Sequence, residues 1–437
     1  MKINVPLAIS TAFLFFIVTS CKKNKQVSDN VTPPINYPAK ATLKSPSVIF
    51  TATNGVKVYG SGYGSAMAMV PGEPDAFYLM TDRGPNVDGS LKDSKLFPLP
   101  NFNPHIGKFK LQGDSLVYLS SIEFKNAAGV KITGKPNPVG QGNTGEVALD
   151  FLGNTLTNDA DGIDCEGLAV APDGSFWVSD EYGPHLVHFS KEGKTLERIN
   201  PYGNGTGGRK IPEVFKKRRA NRGMEGLTIT PDGKTLVGMM QSPMYNPSKA
   251  NVAASKLLRI LSFDIATGAT KQYAYLVDNT KTLSSEIVAI TATTFLVLER
   301  DQDYAGGSPA ALVKKIYKID ISGATDISDP ANGVGGLLFA GKTLEELSDA
   351  ELLSNNIKVV TKELVADLLT LQSAYPHDKA EGLVIINNNL IAVSNDDDFG
   401  INSPATPNNT LVAKILPSTG KVDRNVIYFI PLSKPLK

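Results

Sequence analysis

The sequence predicts an all-β fold, and three observations carry that reading. Hydrophobic residues make up 41% of the 437 and charged residues only 20%, so the chain can bury a large core; neither disorder nor a coiled coil fits. The 39 glycines and 28 prolines punctuate short apolar runs rather than long helical periods. Above all, one unit recurs five times between Gly64 and Gly400: a short apolar strand, a tight turn and a second apolar strand. Hairpins too small to bury both faces must pack on one another. Such repetition predicts radial packing, a β-propeller of six blades, with two packed β-sandwiches as the structural alternative.

Residues 1–20, MKINVPLAISTAFLFFIVTS, carry a lysine near the start, an uncharged apolar run and small residues before Cys21, the layout of a signal peptide to be excluded from the fold. Val18-Thr19-Ser20-Cys21 has the pattern of a bacterial lipobox, which makes Cys21 the lipidated first residue of the mature chain; the apolar run is short for a spanning helix. The expectation is an exported lipoprotein of the cell envelope, at the outer membrane or the periplasmic face, held to the membrane only by that lipid. Residues 21–40 are polar, proline-bearing and aperiodic, a flexible tether, and residues 41–437 form the propeller domain. Losing Lys2 with the leader balances the 44 basic against the 43 acidic groups, so no global field recruits nucleic acid, and a monomer is expected. With Cys21 acylated, Cys165 is the sole thiol and no intramolecular disulfide can form.

The copies are GSAMAMVPGEPDAFYLMTDRGPN from Gly64, EGLAVAPDGSFWVSDEYGP from Glu166, EGLTITPDGKTLVGMMQSP from Glu225, EIVAITATTFLVLERDQ from Glu286 and EGLVIINNNLIAVSNDDDFG from Glu381. Between them, LVYLSSIEF at 116–124 and KLLRILSFDIATG at 256–268 read as outer strands. A small helical insertion is predicted near 343–372, where TLEELSDAELL and TKELVADLLTL space apolar residues by three and four. It packs over one end of the ring, as a lid or as a plain connection.

Hairpin arithmetic places the acids. With Asp173-Gly174 as the turn, Glu166 falls opposite Glu181 with Asp180 beside it; with Asp232-Gly233, Glu225 falls opposite Met240, next to Gln241; with Ala292-Thr293, Glu286 falls opposite Glu299. Glu381 falls opposite Ser394 to Asp396, and the first copy offers Ser65 and Asp82. In a propeller these ends share one channel mouth, ringed by Asp82, Glu166, Asp180, Glu181, Glu225, Glu286, Glu299, Asp301, Glu381, Asp396 and Asp397. So many carboxylates need positive compensation. Arg83, Arg222 and Arg300 stand beside them, and a hard divalent cation such as Ca²⁺, which takes oxygen ligands, is the natural complement. A network of arginine and water is the purely structural alternative. His185 and His377 flank the acidic copies and are read as general acids or anion partners, alongside Glu166, Glu225 and Glu381 as catalytic carboxylates.

TDRGPN (81–86), CEGLAVAPDGSFWVSDEYGP, RGMEGLTITPDG (222–233), EIVAITATTFLVLERD and KAEGLVIINNNLIAVSNDDDFG together resemble the phytase-like family described as having esterase-like activity. The resemblance covers about Ser61 to Leu432. It implies kinship with the β-propeller phytases, Ca²⁺-dependent phosphomonoesterases, and hence an ester hydrolase that needs no protein nucleophile. The expected substrate is a small anionic phosphate or carboxylate ester. Two other readings stand beside it: a lactone hydrolase resembling the gluconolactonases, with Asn395 beside Asp396 among its ligands, and a surface binding propeller without activity.

Three motif matches are set aside. GLLFAGKT (336–343) fits a phosphate-loop pattern, but with bulky apolar residues and no second nucleotide element; GQGNTG (140–145) and GNGTGG (203–208) join no strand to a helix. There is no G-x-S-x-G and no H-E-x-x-H. Cys165 reads as a small buried side chain.

Overall fold

The computed structural model describes residues 1–2, 35–372 and 374–437, so the leader, Cys21 and most of the tether lie outside the described residues. The chain divides into two units, Met1–Asn36 and Tyr37–Lys437, and the architecture is that of the second.

Three sheets are consecutive four-stranded antiparallel meanders. Sheet II takes Cys165–Val170, Phe176–Asp180, Leu186–Phe189 and Thr195–Ile199; sheet III takes Met224–Ile229, Thr235–Met240, Leu257–Asp264 and Thr270–Leu276; sheet IV takes Leu283–Ala289, Thr294–Arg300, Lys314–Asp320 and Thr361–Asp367. Sheet I is built the same way from Ala66–Val70, Glu73–Met80, His105–Gln112 and Ser115–Glu123. Sheet V takes Ala380–Asn387, Leu390–Asn395 and Val426–Pro431, and its fourth strand comes from the start of the domain, Lys40–Leu43, antiparallel to Val426–Pro431. The same short strand also pairs in parallel with the outer strand of sheet I, through Thr42↔Ser115 and Leu43↔Leu116, which fuses sheets V and I into one eight-stranded sheet.

The first strands of the five sheets neighbour one another in a closed ring. The core is correspondingly divided into layers between sheets. Trp177, Leu186 and Ile199 of sheet II pack with Leu227, Leu236 and Phe263 of sheet III. Val237, Ile260 and Tyr275 of sheet III meet Val297 and Tyr317 of sheet IV. Being covered on both faces, the inner strands read as continuous apolar runs rather than alternating ones. At the turn after the first strand of sheet II, Gly174 has φ +84°, a left-handed position that suits glycine, and Gly233 repeats it in sheet III with φ +71°.

The described residues thus supply a propeller of five four-stranded sheets, one fewer than the six expected. The length that a sixth would need goes into insertions. One forms a three-stranded sheet of Val87–Asp88, Ser94–Leu96 and Val147–Leu149, and others form the hairpins Val48–Thr51 with Lys57–Tyr59 and Ile401–Asn402 with Val412–Ala413. These pieces share a small core of Val58, Val87, Leu96, Leu149, Phe399 and Leu411 and build a cap.

The 343–372 segment is also corrected. Only Asp349–Ser354 is α-helix, opened by Ser348, whose side chain accepts from the Glu351 amide in a capping box. Thr361–Asp367, read as helical from its spacing, is instead the outer strand of sheet IV, hydrogen-bonded to Lys314–Asp320. A free sheet edge outweighs a short helical pattern. The helical part does not cover the ring's mouth. Its Leu344, Leu347 and Leu352 pack on Leu257 and Ala274 at the flank of sheet III, where Glu345 forms a buried ion pair with Arg259 at 2.6 Å.

Candidate metal and anion site at the ring mouth

The first hairpin of each of sheets II to V loses register near the mouth. Cys165↔Asp180 is followed by Gly167↔Ser179, Met224↔Met240 by Gly226↔Met239, Ser284↔Glu299 by Glu286↔Leu298, and Ala380↔Asn395 by Leu383↔Val393. The residues left without a partner are β-bulges, whose side chains escape the strand's alternation and are re-aimed. In sheets II, III and V the bulge includes Glu166, Glu225 and Glu381. Uninterrupted pairing had put Glu166 opposite Glu181; in the structure Asp180 faces Cys165, and Glu181 is the first residue past the strand.

In sheet IV the bulged residue is Ser285, so Glu286 takes the place held by Gly167, Gly226 and Gly382 elsewhere. Its side chain runs along the neighbouring inner strand. Oε1 accepts from the amides of Leu227 at 3.1 Å and Ile287 at 2.9 Å, while Oε2 has no partner. Burial raises its pKa well above the ordinary carboxylate value. Glu286 therefore faces the channel below the mouth rather than joining the ring of acids.

The mouth itself holds Asp164, Glu166 and Glu181. All three are buried, and one oxygen from each lies within 4.8 Å of the others. Burial, then the neighbouring Glu225, raises the pKa of both Glu166 and Glu181, and burial pushes Asp164 up to about 6 despite Arg83 beside it. Oε1 of Glu181 has no hydrogen-bond partner. Glu225 is pushed up to about 7 by burial and by Glu381. Burial and the mutual repulsion of these carboxylates outweigh the cations beside Asp164 and Glu225, which favours their protonated forms until further positive charge arrives.

Cations neutralise the rest of the rim piecewise. Arg83 pairs with Glu146 at 2.7 Å and with Asp164 at 3.3 Å. Arg300 donates from Nε to Ser285 at 2.8 Å and from Nη2 to Glu381 at 2.6 Å, lies 3.5 Å from Glu225, and leaves Nη1 without a partner. Lys379 bridges Asp396 at 2.9 Å and Asp398 at 2.7 Å. Arg222 donates to Gln241 at 3.1 Å, and burial lowers its pKa to about 10. Asp82 accepts the Gly84 amide at 2.7 Å, and burial followed by Asp164 raises its pKa. Asp82, Arg83, Asp164, Glu166, Glu181, Arg300 and Lys379 line one cavity of about 400 Å³, roofed by Asn86, Val87 and Ile401 of the cap. The cap, not the 343–372 segment, lies over the mouth.

Several expected members sit elsewhere. Asp180 is enclosed, accepting the amides of Asp164 at 3.1 Å and Gly183 at 2.9 Å, with His185 Nδ1 at 3.0 Å. His185 is 1% exposed, lies 2.7 Å from Arg198, donates from Nε2 to the Gln141 carbonyl at 3.2 Å, and has its pKa lowered by burial. His377 is fixed between Asp423 at 2.7 Å and the Tyr428 hydroxyl at 2.9 Å. Neither histidine lines the mouth cavity. Glu299 accepts from Tyr275 of sheet III at 2.6 Å and from Lys362 of sheet IV at 3.0 Å, between the two sheets, and Asp301 pairs with Lys314 at 2.7 Å. Asp397 accepts the Gly62 amide at 2.7 Å, and Asn395 donates to the Arg424 carbonyl at 3.0 Å. Cys165 is fully buried.

Asp164 and Lys379 escaped the sequence reading. Both stand two residues before a repeat glutamate, in DCEGL and KAEGL, a signal available once the copies are aligned.

Residues 61–399 match the model of the phytase-like family, described by the esterase-like activity of phytase. The chain belongs to this family. A protein of Arthroderma benhamiae described as an uncharacterized secreted protein is 29% identical over 290 residues, covering 57% of this chain and 53% of its own length, so the chain spans about half of that relative. Among solved structures, the periplasmic gluconolactonase of Pseudomonas aeruginosa aligns at 9% identity over 91% of this chain and 96% of its own, with a TM-score of 0.33. The PQQ-bound aldose sugar dehydrogenase of Streptomyces coelicolor aligns at 10% identity over 90% and 99%, with a TM-score of 0.31. Overlaps this loose say nothing of chemistry.

Proposed function

We propose that this phytase-like propeller is an exported hydrolase of a small anionic ester, phosphate or carboxylate, acting at the capped mouth with a divalent cation held by Asp164, Glu166 and Glu181. The observation that carries the reading is one cavity lined both by three buried, converging carboxylates and by Arg83, Arg300 and Lys379. The donor set fits a hard cation such as Ca²⁺: it is all oxygen, buried, and includes an unpartnered oxygen on Glu181. When bound, such an ion supplies Lewis-acid polarisation of an ester and acidifies water.

The chain's own groups do the rest. Arg300, tied by Glu381 and Ser285, presents Nη1 towards an anion, and Lys379 adds a second positive charge on the same wall. Arg83 keeps Asp164 oriented through its bond to Glu146 behind it. The cap excludes bulk water, so these charges act in a low dielectric. His185 and His377 are positioning groups within the ring wall in this reading. Export is supported by the secreted relative; lipid attachment at Cys21 remains part of the proposal, read by loss of membrane fractionation in Cys21→Ala.

The test joins metal analysis with hydrolysis. Chelator-treated protein is titrated with Ca²⁺, and p-nitrophenyl phosphate, p-nitrophenyl acetate and a gluconolactone are assayed with and without the ion. Ca²⁺-dependent turnover, lost in Glu166→Gln, is the expected outcome. An unchanged thermal midpoint on adding Ca²⁺, with no turnover of any ester under any divalent ion, rejects the reading; turnover of the lactone alone favours the lactone-hydrolase alternative.

A further inference from the structure

A second cavity, of about 620 Å³, lies between the cap and sheet I, shares no lining residue with the mouth cavity, and is lined by groups of another kind. Six rings line it: Tyr63, Phe102, His105, Phe109, Tyr118 and Phe399. They meet edge to face, with Tyr63 on Phe109 at 4.9 Å and Phe102 on Phe399 at 5.2 Å, so the walls are set before any ligand arrives. The volume is that of a small-molecule site.

The polar atoms define what fits. No carboxylate lines this cavity, and its one flexible cation, Lys44, is held by Asp114 at 2.7 Å. His105 donates from Nδ1 to the Asn103 carbonyl at 2.8 Å, so its Nε2 takes the Tyr63 hydroxyl proton at 2.8 Å. Burial keeps that imidazole neutral by lowering its pKa. Tyr63 has then used its proton and has only lone pairs left to offer. Ser61, 1% exposed, lines the same cavity with a hydroxyl whose polar neighbour is the buried Asp397 carboxylate, without full hydrogen-bond geometry. A hydroxyl so loosely held among aromatic rings is free to turn to a ligand.

We infer that this cavity is a second binding site, independent of the mouth, for a neutral aromatic compound of one or two rings that carries a hydroxyl. The rings stack on or edge the aromatic walls, the ligand hydroxyl donates to Tyr63, and Ser61 completes the pair. An anionic ligand is disfavoured, because the one flexible cation of the lining, Lys44, stands at the exposed edge and is already paired with Asp114. The inference does not rest on the proposed hydrolase activity.

The test is calorimetric titration of the full chain with 2-naphthol and, separately, with 2-naphthoate. One saturable site for 2-naphthol is expected, with 2-naphthoate at least about tenfold weaker and Ser61→Ala weaker by about fivefold. Ser47→Trp, placed at the exposed rim to fill the cavity, abolishes binding while the thermal midpoint holds. Tyr118→Ala removes a half-exposed wall and weakens binding without touching the core, which keeps the idea testable if the tryptophan variant misfolds. No saturable binding of 2-naphthol, equal affinity for 2-naphthoate, or wild-type affinity in both rim variants overturns the inference.

Discussion

At its mouth the ring gathers Asp164, Glu166, Glu181, Glu225 and Glu381, whereas further along the same inner strands Met67, Leu168, Leu227, Ile287 and Leu383 line an apolar channel of about 230 Å³. The strands are the same and the repeat is the same. What separates the two regions in sheets II to V is a bulge at the mouth end of the first hairpin, which turns a residue out of the ladder. Glu225 and Glu286 make the contrast sharp: on adjacent sheets, one residue apart in the repeat, one joins a charged rim with Arg300 and the other is folded into the channel with two backbone amides for company. Position relative to the bulge, not residue type, decides which carboxylate can serve a site.

The strongest way to break the contrast is to remove the charge that holds the rim together. Arg300→Ala leaves Glu225 and Glu381 buried without their partner and is expected to destabilise the fold by about 3 to 5 kcal/mol in urea unfolding. Glu166→Gln tests the rim from the metal side: wild-type protein at a hundred times the ion's Kd should gain about 2.7 kcal/mol, and the variant should lose that gain in a Ca²⁺ titration of thermal stability. Gly226→Ala attacks the boundary itself, since a Cβ there would meet the Ile287 amide nitrogen at 2.6 Å and the Glu286 Cα at 2.8 Å. A loss of about 2 kcal/mol is expected from that overlap.

The smallest effect sharpens the channel side. Glu286 has a raised folded pKa, so the folded state holds its proton above the unfolded value of about 4.3. Its contribution to stability is fully present below that value and is lost as pH rises towards the folded pKa. Glu286→Gln should be nearly neutral at low pH, within about 1 kcal/mol, and should flatten the fall of stability with rising pH. A variant that steepens the fall would place the charge of Glu286 among the stabilising groups and reverse its assignment.

Much of this was legible before any coordinates. Apolar alternation broken by Pro-Asp-Gly located the inner hairpins, and the glutamate that opens each copy pointed to a shared acidic end. The bulges were not legible, because a one-residue slip leaves no mark in composition; with no glycine after it, Glu286 was aligned one place too early. Strict pairing draws Asp180 and Glu299 into the rim, although both turn into the wall and the residue after each, Glu181 or Arg300, turns out. Arg83 and Arg300 pair with acids of the rim, whereas Arg222 donates to Gln241; Lys379 was not legible, since its pairing depends on loops that only the folded cap brings beside Asp396 and Asp398. The outer strand Thr361–Asp367 was masked by a helical spacing that its edge position overrode.

The short strand Lys40–Leu43 completes sheet V from the opposite end of the domain, hydrogen-bonded to Val426–Pro431 and in register with the edge of sheet I. Ring closure therefore doubles as a check on completeness. A chain stopped before Val426 has no partner for that clasp and keeps two raw sheet edges open to proteases and to other chains. The ring can lock only once residues from both ends of the domain have met.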